Sequence, residues 1–221
     1  MSTIADQVTD FNVGFNEQIG PRLAGVFADE QAGLTAGGVP SDAVSQGSII
    51  PDARLVDAAG AEVSLYDAIG EAPAVLVFYR GAWCPYCNIT LKHYQRTLLP
   101  GLNDRGIALI AISPQTPDGS SAAVANGELA FTVLSDPSNV LIEQLGIKTE
   151  PNAAARSAHT DLGFDVADSN ADATADIPFP TVLVIDSGRS VTFADVHVDY
   201  TTRTEVATIL SAVDSLARVS A

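Results

Sequence analysis

Two cysteines separated by two residues constrain this chain more than any other feature. Cys84 and Cys87 are the only cysteines in 221 residues, which is too few for the disulfide framework of a small secreted scaffold. The pair follows an almost wholly apolar run at residues 74–79 and opens a helical pattern that begins at Pro85. A strand that leads through C-x-x-C into a helix is typical of a redox-active dithiol.

The position of Cys84 at the predicted helix N-terminus favours its thiolate form. Unpaired backbone N–H groups and the positive end of the helix dipole lie there, and such placement lowers a cysteine pKa from about 8.5 to roughly 3.5–7.5. Cys87 follows nearly one turn later, where its sulfur can reach that of Cys84. We therefore predict that Cys84 attacks the substrate and that Cys87 closes a disulfide and releases the product.

Two other roles for the cysteine pair remain open from the residues alone. The cysteines could be buried structural thiols or half of a metal site, although such a site usually takes four ligands. His93, His159 and His197 lack the spacing of zinc ligands. We favour redox chemistry that uses neither a metal nor another cofactor.

Three residues near the pair are further candidates for the site. Trp83, the only tryptophan, could shield the sulfur and contact partners, or it could pack at the strand end. Arg80 could stabilise a thiolate or polarise a peroxide oxygen, or it could form an ordinary ion pair. Pro180 precedes a predicted strand, where a cis X–Pro bond would be a deliberate feature.

The remaining pattern predicts an α/β fold with a parallel strand pair. Apolar runs at 74–79 and 107–112 flank a helix from Pro85 to about Leu99, which Pro100-Gly101 is expected to end. The other predicted elements are a hairpin over 55–65, a helix over 117–126, a strand over 130–134, a helix opened by Asp136-Pro137 and closed by Gly146, strands over 181–185 and 191–198 with a bulge near Ala194-Asp195 in the latter, and a last helix opened by a capping box at 202–205.

Two segments lie outside this pattern. Residues 3–35 carry an apolar stripe interrupted at Gly20-Pro21, so they predict a helix that either packs on its own domain or docks a second subunit in a homodimer. We assign residues 1–46 to an N-terminal helical extension and 47–221 to one domain. Residues 150–177 lack periodicity and predict a solvated acidic flap.

The charge balance excludes several classes of partner. Lys and Arg number 11 against 27 Asp and Glu, a net charge of −16, whereas binding to nucleic acid or to an anionic membrane surface needs clustered cations. No run approaches the roughly 18 apolar residues of a membrane span. The N-terminus has no pattern of a secretory signal, so we expect a cytoplasmic protein.

The segment VFYRGAWCPYCN at residues 77–88 resembles the peroxiredoxin-like branch of the alkyl hydroperoxide reductase/thiol-specific antioxidant family. Residues 133–137, 181–186 and 198–203 are also similar to that branch. The resemblance implies a thioredoxin-like fold, in which a central mixed sheet has helices on both faces. It implies reduction of hydroperoxides by a cysteine thiolate and recycling by thioredoxin or a similar thiol donor. By this resemblance Cys84 is the peroxidatic cysteine and Pro180 matches the cis-proline of thioredoxin folds.

The chain departs from the family pattern at three places. The family usually has proline seven residues and threonine three residues before the attacking cysteine, where this chain has Val77 and Gly81. The threonine hydroxyl normally helps to hold the peroxide. A second family arginine usually precedes the strand that begins here at Thr181, but Phe179-Pro180 stand there. The letters CPYC are those of a glutaredoxin-type active site.

The leading hypothesis is a thiol-dependent peroxidase that reduces hydrogen peroxide or organic hydroperoxides. Cys84 would become a sulfenic acid and Cys87 would condense with it to a disulfide, with Arg80 as the third catalytic candidate. Gly81, Trp83 and Pro180 are the candidate substrate-binding residues. The alternatives are a glutaredoxin-like disulfide oxidoreductase without peroxidase activity and a non-catalytic redox sensor.

Overall fold

The computed structural model describes residues 2–219, with side chains to residue 216. The strands, numbered along the chain, are β1 Arg54–Asp57, β2 Glu62–Ser64, β3 Ala74–Phe78, β4 Ala108–Ser113, β5 Thr132–Ser135, β6 Lys148–Thr149, β7 Ile177–Pro178, β8 Thr181–Ile185 and β9 Val191–Val196. The helices are α1 Ile4–Gly37, α2 Leu65–Ile69, α3 Pro85–His93, α4 Leu99–Asn103, α5 Pro117–Gly127, α6 Val140–Gln144, α7 Ala153–Asp161, α8 Val166–Ser169 and α9 Val206–Val219. A π-helical turn, Tyr94–Leu98, joins α3 to α4.

Seven of the strands form one mixed sheet in the order β2-β1-β5-β4-β3-β8-β9. Strands β3, β4 and β5 are parallel neighbours, so the predicted β-α-β unit through α3 is confirmed. Strand β8 pairs antiparallel with β3 on its other side, while β6 and β7 form a separate two-stranded sheet. The central mixed sheet with helices around it confirms the predicted fold class.

The apolar run of β3 is explained by burial on both faces of the sheet. Val75 and Val77 pack into a core shared with α1, α3 and α9. Leu76 and Phe78 point the other way, into a core shared with α2 and α6. All five residues of β3 are buried, as expected of a strand covered by helices on each side. The start of α3, which carries both cysteines, therefore follows a strand that is buried along its whole length.

Helix α1 packs on its own domain, which confirms one of the two predicted arrangements. Ile4 and Val8 belong to the same core as β3 and α3, and Thr3 begins the helix in a capping box with Asp6. Gly20 has a non-helical backbone (φ +77°) that kinks the helix at the predicted place. The homodimer and the domain boundary at residue 46 stay predictions.

The predicted capping box at the start of α9 is wrong, because its glutamate serves another helix. The Glu205 carboxylate accepts hydrogen bonds from the backbone N–H groups of Ile4 and Ala5, at 3.2 and 3.0 Å. These donors have no partner within α1, since the first N–H groups of a helix never do. Glu205 therefore fastens the beginning of α1 to the C-terminal part of the chain.

Replacing Glu205 by alanine is expected to lower the free energy of unfolding by about 1 kcal/mol, the usual cost of a lost N-terminal cap. Faster amide hydrogen exchange should accompany this loss in the first turn of α1. Glu71→Ala, which removes an exposed glutamate from the turn before β3, is the matched control. Equal exchange in the first turn of both variants would show that Glu205 does not hold α1.

The predicted end of the helix at Pro100 and the predicted start of α6 at Asp136 are also wrong. Pro100 lies in the first turn of α4, where proline loses no helical hydrogen bond. Helix α6 begins after Asn139, while the Asp136 carboxylate accepts from the backbone N–H groups of Val140 and Ile142 at 3.0 and 2.9 Å. Asp136 therefore caps α6 from outside the helix.

The bulge in β9 lies two residues before the predicted position at Ala194-Asp195. The register between β8 and β9 shifts between Val184 and Ile185, which pair with Phe193 and Val191. Thr192 is therefore the inserted residue, and the strand keeps regular pairing at Ala194 and beyond. Strand alternation in the sequence is imprecise here because most β9 side chains are only partly buried.

Candidate active site

The two cysteines lie side by side where β3 gives way to α3. Cys84 is the N-cap residue of α3 and Cys87 lies in its first turn. Both side chains are fully buried and both are free thiols. Cys84 lines a cavity of about 330 Å³, whereas Cys87 lines only a gap of about 10 Å³ behind it. Cys84, and not Cys87, therefore lies on the wall of the larger cavity.

The electrostatics of the pair differ from the expectation that Cys84 has the lowered pKa. Burial raises the pKa of Cys84, and its hydrogen bond to Cys87 and the negative charge there raise it further. Burial opposes ionisation of Cys87 as well. The hydrogen bond from Cys84, the charge of Arg203 and the backbone N–H of Arg80 outweigh that effect and hold the pKa of Cys87 well below its ordinary value.

The physical reason is the direction of the available donors. The Cys84 side chain accepts no hydrogen bond from the N-terminal N–H groups of α3. The donors converge on the Cys87 sulfur instead, and Arg203 Nη2 lies 3.2 Å from it. When the reduced pair holds one shared proton, these contacts favour that proton on Cys84 and the negative charge on Cys87.

Arg80 lies beside the pair, as predicted, but forms no ion pair with the carboxylates whose side chains the structure describes. Its guanidinium carbon lies 4.9 Å from the ring centre of Trp83 and 4.0 Å from that of Tyr200. Such contacts hold a cation by its attraction to the faces of aromatic rings. Arg80 is almost fully buried, so it places a positive charge on the wall of the Cys84 cavity.

Trp83 and Gln115 occupy the space that a side chain at position 81 would need. A Cβ atom there would lie 2.5 Å from Trp83 Nε1 and 3.0 Å from Gln115 Cδ, and the backbone φ is +152°. Gln115 Oε1 also accepts a hydrogen bond from the backbone N–H of Ala82 at 2.7 Å. The place of the threonine expected from the resemblance is therefore filled by an indole ring and an amide.

Trp83 packs in an aromatic cluster that the sequence did not reveal. Its ring centre lies 5.6 Å from that of His159 and 5.5 Å from that of Phe164. Burial and the nearby charge of Arg80 lower the pKa of His159 to about 4. The imidazole is therefore neutral at physiological pH and adds an uncharged ring to the cavity wall.

The stretch 150–177 is not the solvated flap that its composition predicts. It forms α7 and α8, and its residues Val166, Ala175 and Ile177 are buried in a small core against Trp83 and Phe164. Its carboxylates bind different partners instead of forming one acidic face, since Asp161 pairs with Arg22 and Asp176 with Lys148. Asp165, for example, accepts from the backbone N–H of Ala167 at 3.0 Å.

Helix α1 forms the opposite wall of the cavity, on both sides of its kink. Its apolar and amide side chains there are Asn12, Phe15, Asn16, Gln18, Ile19, Ala24, Phe27, Ala28 and Gln31. Tyr86 and Tyr200 complete the wall, and their hydroxyls donate to Asn12 at 2.8 Å and to the buried Glu30 at 2.9 Å. No carboxylate lines the cavity as described, so Arg80 gives it a positive, otherwise neutral and largely aromatic character.

Pro180 lies on the Cys87 side of the site and does not line the Cys84 cavity. Its peptide bond is trans, as are all those described between residues 2 and 219, so the match to a cis-proline is wrong. The Pro180 carbonyl accepts a hydrogen bond from the backbone N–H of His197 at 2.9 Å. This bond continues the pairing of β8 with β9 and fixes the proline beside the Cys87 gap.

Comparison with known proteins identifies the group of which this chain is part. A model of the AhpC/TSA family matches residues 46–194. The chain belongs to the AhpC/TSA family. A Bcp protein of Haemophilus influenzae is 31% identical over 114 residues, which cover 52% of this chain and 72% of that protein. Peroxiredoxin Bcp of Escherichia coli is 31% identical over 101 residues, or 46% of this chain and 64% of its own length.

Solved structures of AhpC/TSA-like architecture have the same fold. Peroxidoxin BcpB of Mycobacterium tuberculosis superposes with a TM-score of 0.60 at 19% identity and covers 78% of this chain and 98% of its own. Reduced Prx3 of Vibrio vulnificus, in complex with H2O2, has a TM-score of 0.60 at 20% identity, with coverage of 76% and 98%. Together with the curated relatives, these matches confirm the predicted family, the thioredoxin-like fold and the class of activity, a thiol-dependent peroxidase.

Much of the site lies outside the segment that the AhpC/TSA model matches. Helix α1, Tyr200 and Arg203 all lie outside residues 46–194. Helix α1 and Tyr200 nevertheless form part of the cavity wall, and Arg203 contacts the Cys87 sulfur. Only the resemblance of residues 198–203 to the family pointed to Tyr200 and Arg203 in the sequence. His159, Phe164 and Glu30 had no signal in the sequence.

Two further features are absent from the part of the chain that the structure describes. No described helix combines the length and the apolar character that crossing a bilayer requires. Within residues 2–219, no group of three or more His, Cys, Asp or Glu side chains is placed to hold a metal ion.

Proposed function

We propose that Cys84 is the peroxidatic cysteine and Cys87 the resolving cysteine of this peroxidase. The observation that carries the assignment is that Cys84 lines the cavity while Cys87 lies directly behind it, against its own small gap. Arg80, on the cavity wall, supports the step by attracting the negative charge that develops on the peroxide oxygens.

The chemistry needs only the shared proton and an external reductant. The proton on Cys84 passes to the Cys87 sulfur, and the Cys84 thiolate attacks the distal oxygen of ROOH. The O–O bond breaks, Cys84 becomes a sulfenic acid, and the alkoxide takes the proton from Cys87 to leave as ROH. The Cys87 thiolate then attacks the Cys84 sulfur, so that the S–O bond breaks and the hydroxide takes a proton from solvent to leave as water. Thioredoxin or another thiol donor then returns two electrons to the disulfide, a step that suits the cytoplasm.

The cavity supports organic hydroperoxides as the preferred substrates. A water molecule occupies about 30 Å³ in the liquid, so hydrogen peroxide would fill little of a cavity of about 330 Å³. Phe15, Ile19 and Phe27 offer apolar surface to a hydrocarbon group, and burial of such a group is favourable at about 25 cal/mol per Å². Arg80 lies where the polar end of the substrate must meet Cys84.

Stopped-flow fluorescence of Trp83 tests the proposal directly, because the indole lies beside the reacting sulfur. Reduced protein mixed with increasing peroxide should show a fast change whose rate rises linearly with peroxide concentration. Organic hydroperoxides should react faster than hydrogen peroxide. A rate no better than that of a free thiol for every peroxide tried would reject the proposal.

Filling the cavity from α1 should separate the two substrate types. Ala24→Phe is expected to lower kcat/KM for cumene hydroperoxide about tenfold or more, since excluding even a small group from a fitted pocket costs about 1–3 kcal/mol. The kcat/KM for hydrogen peroxide should stay within about threefold of that of the unaltered protein, because this small substrate does not need the space that phenylalanine fills. Ala32→Phe, at an exposed position of α1 that does not line the cavity, is the control. An equal loss for both peroxides would mean that the cavity does not select the substrate.

A further inference from the structure

We propose that Arg203 is a catalytic residue for disulfide formation, because it holds the Cys87 sulfur as the thiolate that attacks the oxidised Cys84. The inference rests on the peroxidase function proposed above and adds a residue to its second step. It assigns a role to a side chain outside residues 46–194, which the family model matches.

The contact itself is direct and fixed. Arg203 Nη2 donates to Cys87 Sγ at 3.2 Å, while Nη1 donates to the backbone carbonyls of Tyr200 and Thr202 at 2.5 and 2.6 Å. The two carbonyls hold one edge of the guanidinium, so the other edge faces the sulfur. The rigid fork of arginine suits this arrangement, which a flexible ammonium group would match less well.

Arg203 forms no ion pair with a carboxylate whose side chain the structure describes. The chain has 27 acidic and 11 basic Lys and Arg side chains, yet none of the ion pairs among the described side chains involves Arg203. The sulfur of Cys87 is fully buried, and a buried anion is costly unless a cation or donors accompany it. Arg203 and the Arg80 backbone N–H supply that compensation.

The other groups around the sulfur do not supply a second anion. Tyr79 and Tyr94 are buried, and burial raises the pKa of both hydroxyls, so they stay neutral. His197 is held by Asp195, Thr202 and Thr204. The titratable and charged side chains that face Cys87 are Arg80, Arg203, Cys84, Tyr79, Tyr94 and His197.

Arg203 is chemically unchanged by the step assigned to it. The Cys87 thiolate supplies the electron pair of the new S–S bond, the S–O bond of the sulfenic acid breaks, and hydroxide takes a proton from solvent to become water. Arg203 neither gains nor loses a proton. It acts by keeping Cys87 ionised at neutral pH, because resolution requires a thiolate and not a thiol.

The first test is an absorbance titration of the thiolate near 240 nm, which needs no peroxide. In the Cys84→Ser background, Arg203→Gln should move the Cys87 transition upward by about one to two pH units, the usual effect of losing an adjacent cation. With Arg203 in place, the reduced Cys84→Ser protein should still show a thiolate transition at low pH. The reduced Cys87→Ser protein should not show it. The reverse pattern, or an unchanged transition in the Arg203 variant, would overturn the inference even if the peroxidase function holds.

The second test follows disulfide formation after oxidation by cumene hydroperoxide, with sulfenic acid trapped by dimedone. Arg203→Gln should form the disulfide about ten- to a hundredfold more slowly at pH 7, as the loss of a hydrogen bond to a charged group predicts. The rate should recover as the pH is raised, which a merely structural defect would not do. Arg203→Lys keeps the positive charge without the fork, so its rate should lie between those of the unaltered protein and Arg203→Gln. Arg54→Gln, which removes an exposed arginine of β1, should change nothing.

Two outcomes of the second test count against Arg203. A deficit of the same size at every pH, or a lysine variant as slow as the glutamine variant, would assign Arg203 to the structure of its loop and overturn the catalytic role. Absence of any sulfenic acid in the unaltered protein would instead reject the peroxidase function, and the titration would still report on Arg203.

Discussion

Cys84→Ser protein is expected to lose peroxide turnover by at least about 1,000-fold, as enzymes do when their nucleophile is removed. No other thiol lines the cavity among the described residues, so no second sulfur can take over the attack. The measurement is steady-state consumption of cumene hydroperoxide with a thioredoxin system or dithiothreitol as the reductant. The fast change in Trp83 fluorescence that follows mixing with peroxide should disappear as well.

Cys87→Ser is the matched control, because it removes the neighbouring sulfur and leaves Cys84 in the cavity. This variant should undergo one oxidation that dimedone traps as a sulfenic acid, and turnover should then stop. Turnover by Cys84→Ser at the rate of the unaltered protein would contradict the assignment of the two roles. So would a stable sulfenic acid on Cys87.

Gly81→Thr is expected to lower the free energy of unfolding by about 2–5 kcal/mol, although it restores the residue that the family usually has. The new Cβ would collide with Trp83 Nε1 at 2.5 Å, and overpacking of this kind costs about 1–3 kcal/mol. The backbone φ of +152° adds about 1–3 kcal/mol for a residue other than glycine. The indole must move to make room, so Trp83 emission should shift. Chemical denaturation and the emission spectrum measure the two effects.

Gly25→Ala is the matched control for that substitution. Gly25 lies inside α1 with no atom within 4 Å of a Cβ placed there, so alanine should leave stability unchanged or raise it by up to about 1 kcal/mol. A Gly81→Thr protein as stable as the unaltered one, with the same Trp83 emission, would show that the indole does not occupy the threonine position. The departure from the family pattern would then need another cause.

Several elements of the site followed from local sequence. The buried strand β3, the helix that begins at Pro85 and the two cysteines at its start are specified by neighbouring residues, and the structure places them as predicted. Arg80 and Trp83 also lie at the site because they are only a few residues from Cys84. Short-range periodicity and helix-start signals carry this information.

Other elements depended on residues far apart in the chain. The pKa of Cys87 is lowered by its hydrogen bond from Cys84 and by the charge of Arg203, which is separated from it by 116 positions. The helix-start argument considered only the neighbours of Cys84 and could not include this contact. The stretch 150–177 is acidic and poor in apolar residues, yet Val166 and Ile177 fold it onto Trp83. Composition alone could not show which few apolar side chains would dock there.

The sequence by itself determined the α/β fold, the redox-active pair and the family, because each can be recognised from short segments of neighbouring residues. The tertiary structure alone decided which sulfur lines the cavity, which one receives the hydrogen bond of Arg203, and what fills the place of the missing threonine. It also brought α1 over Cys84 to form the substrate cavity. The physical reason is that burial, charge and excluded volume depend on every element packed around a side chain, and residues far away in the sequence supply most of those neighbours.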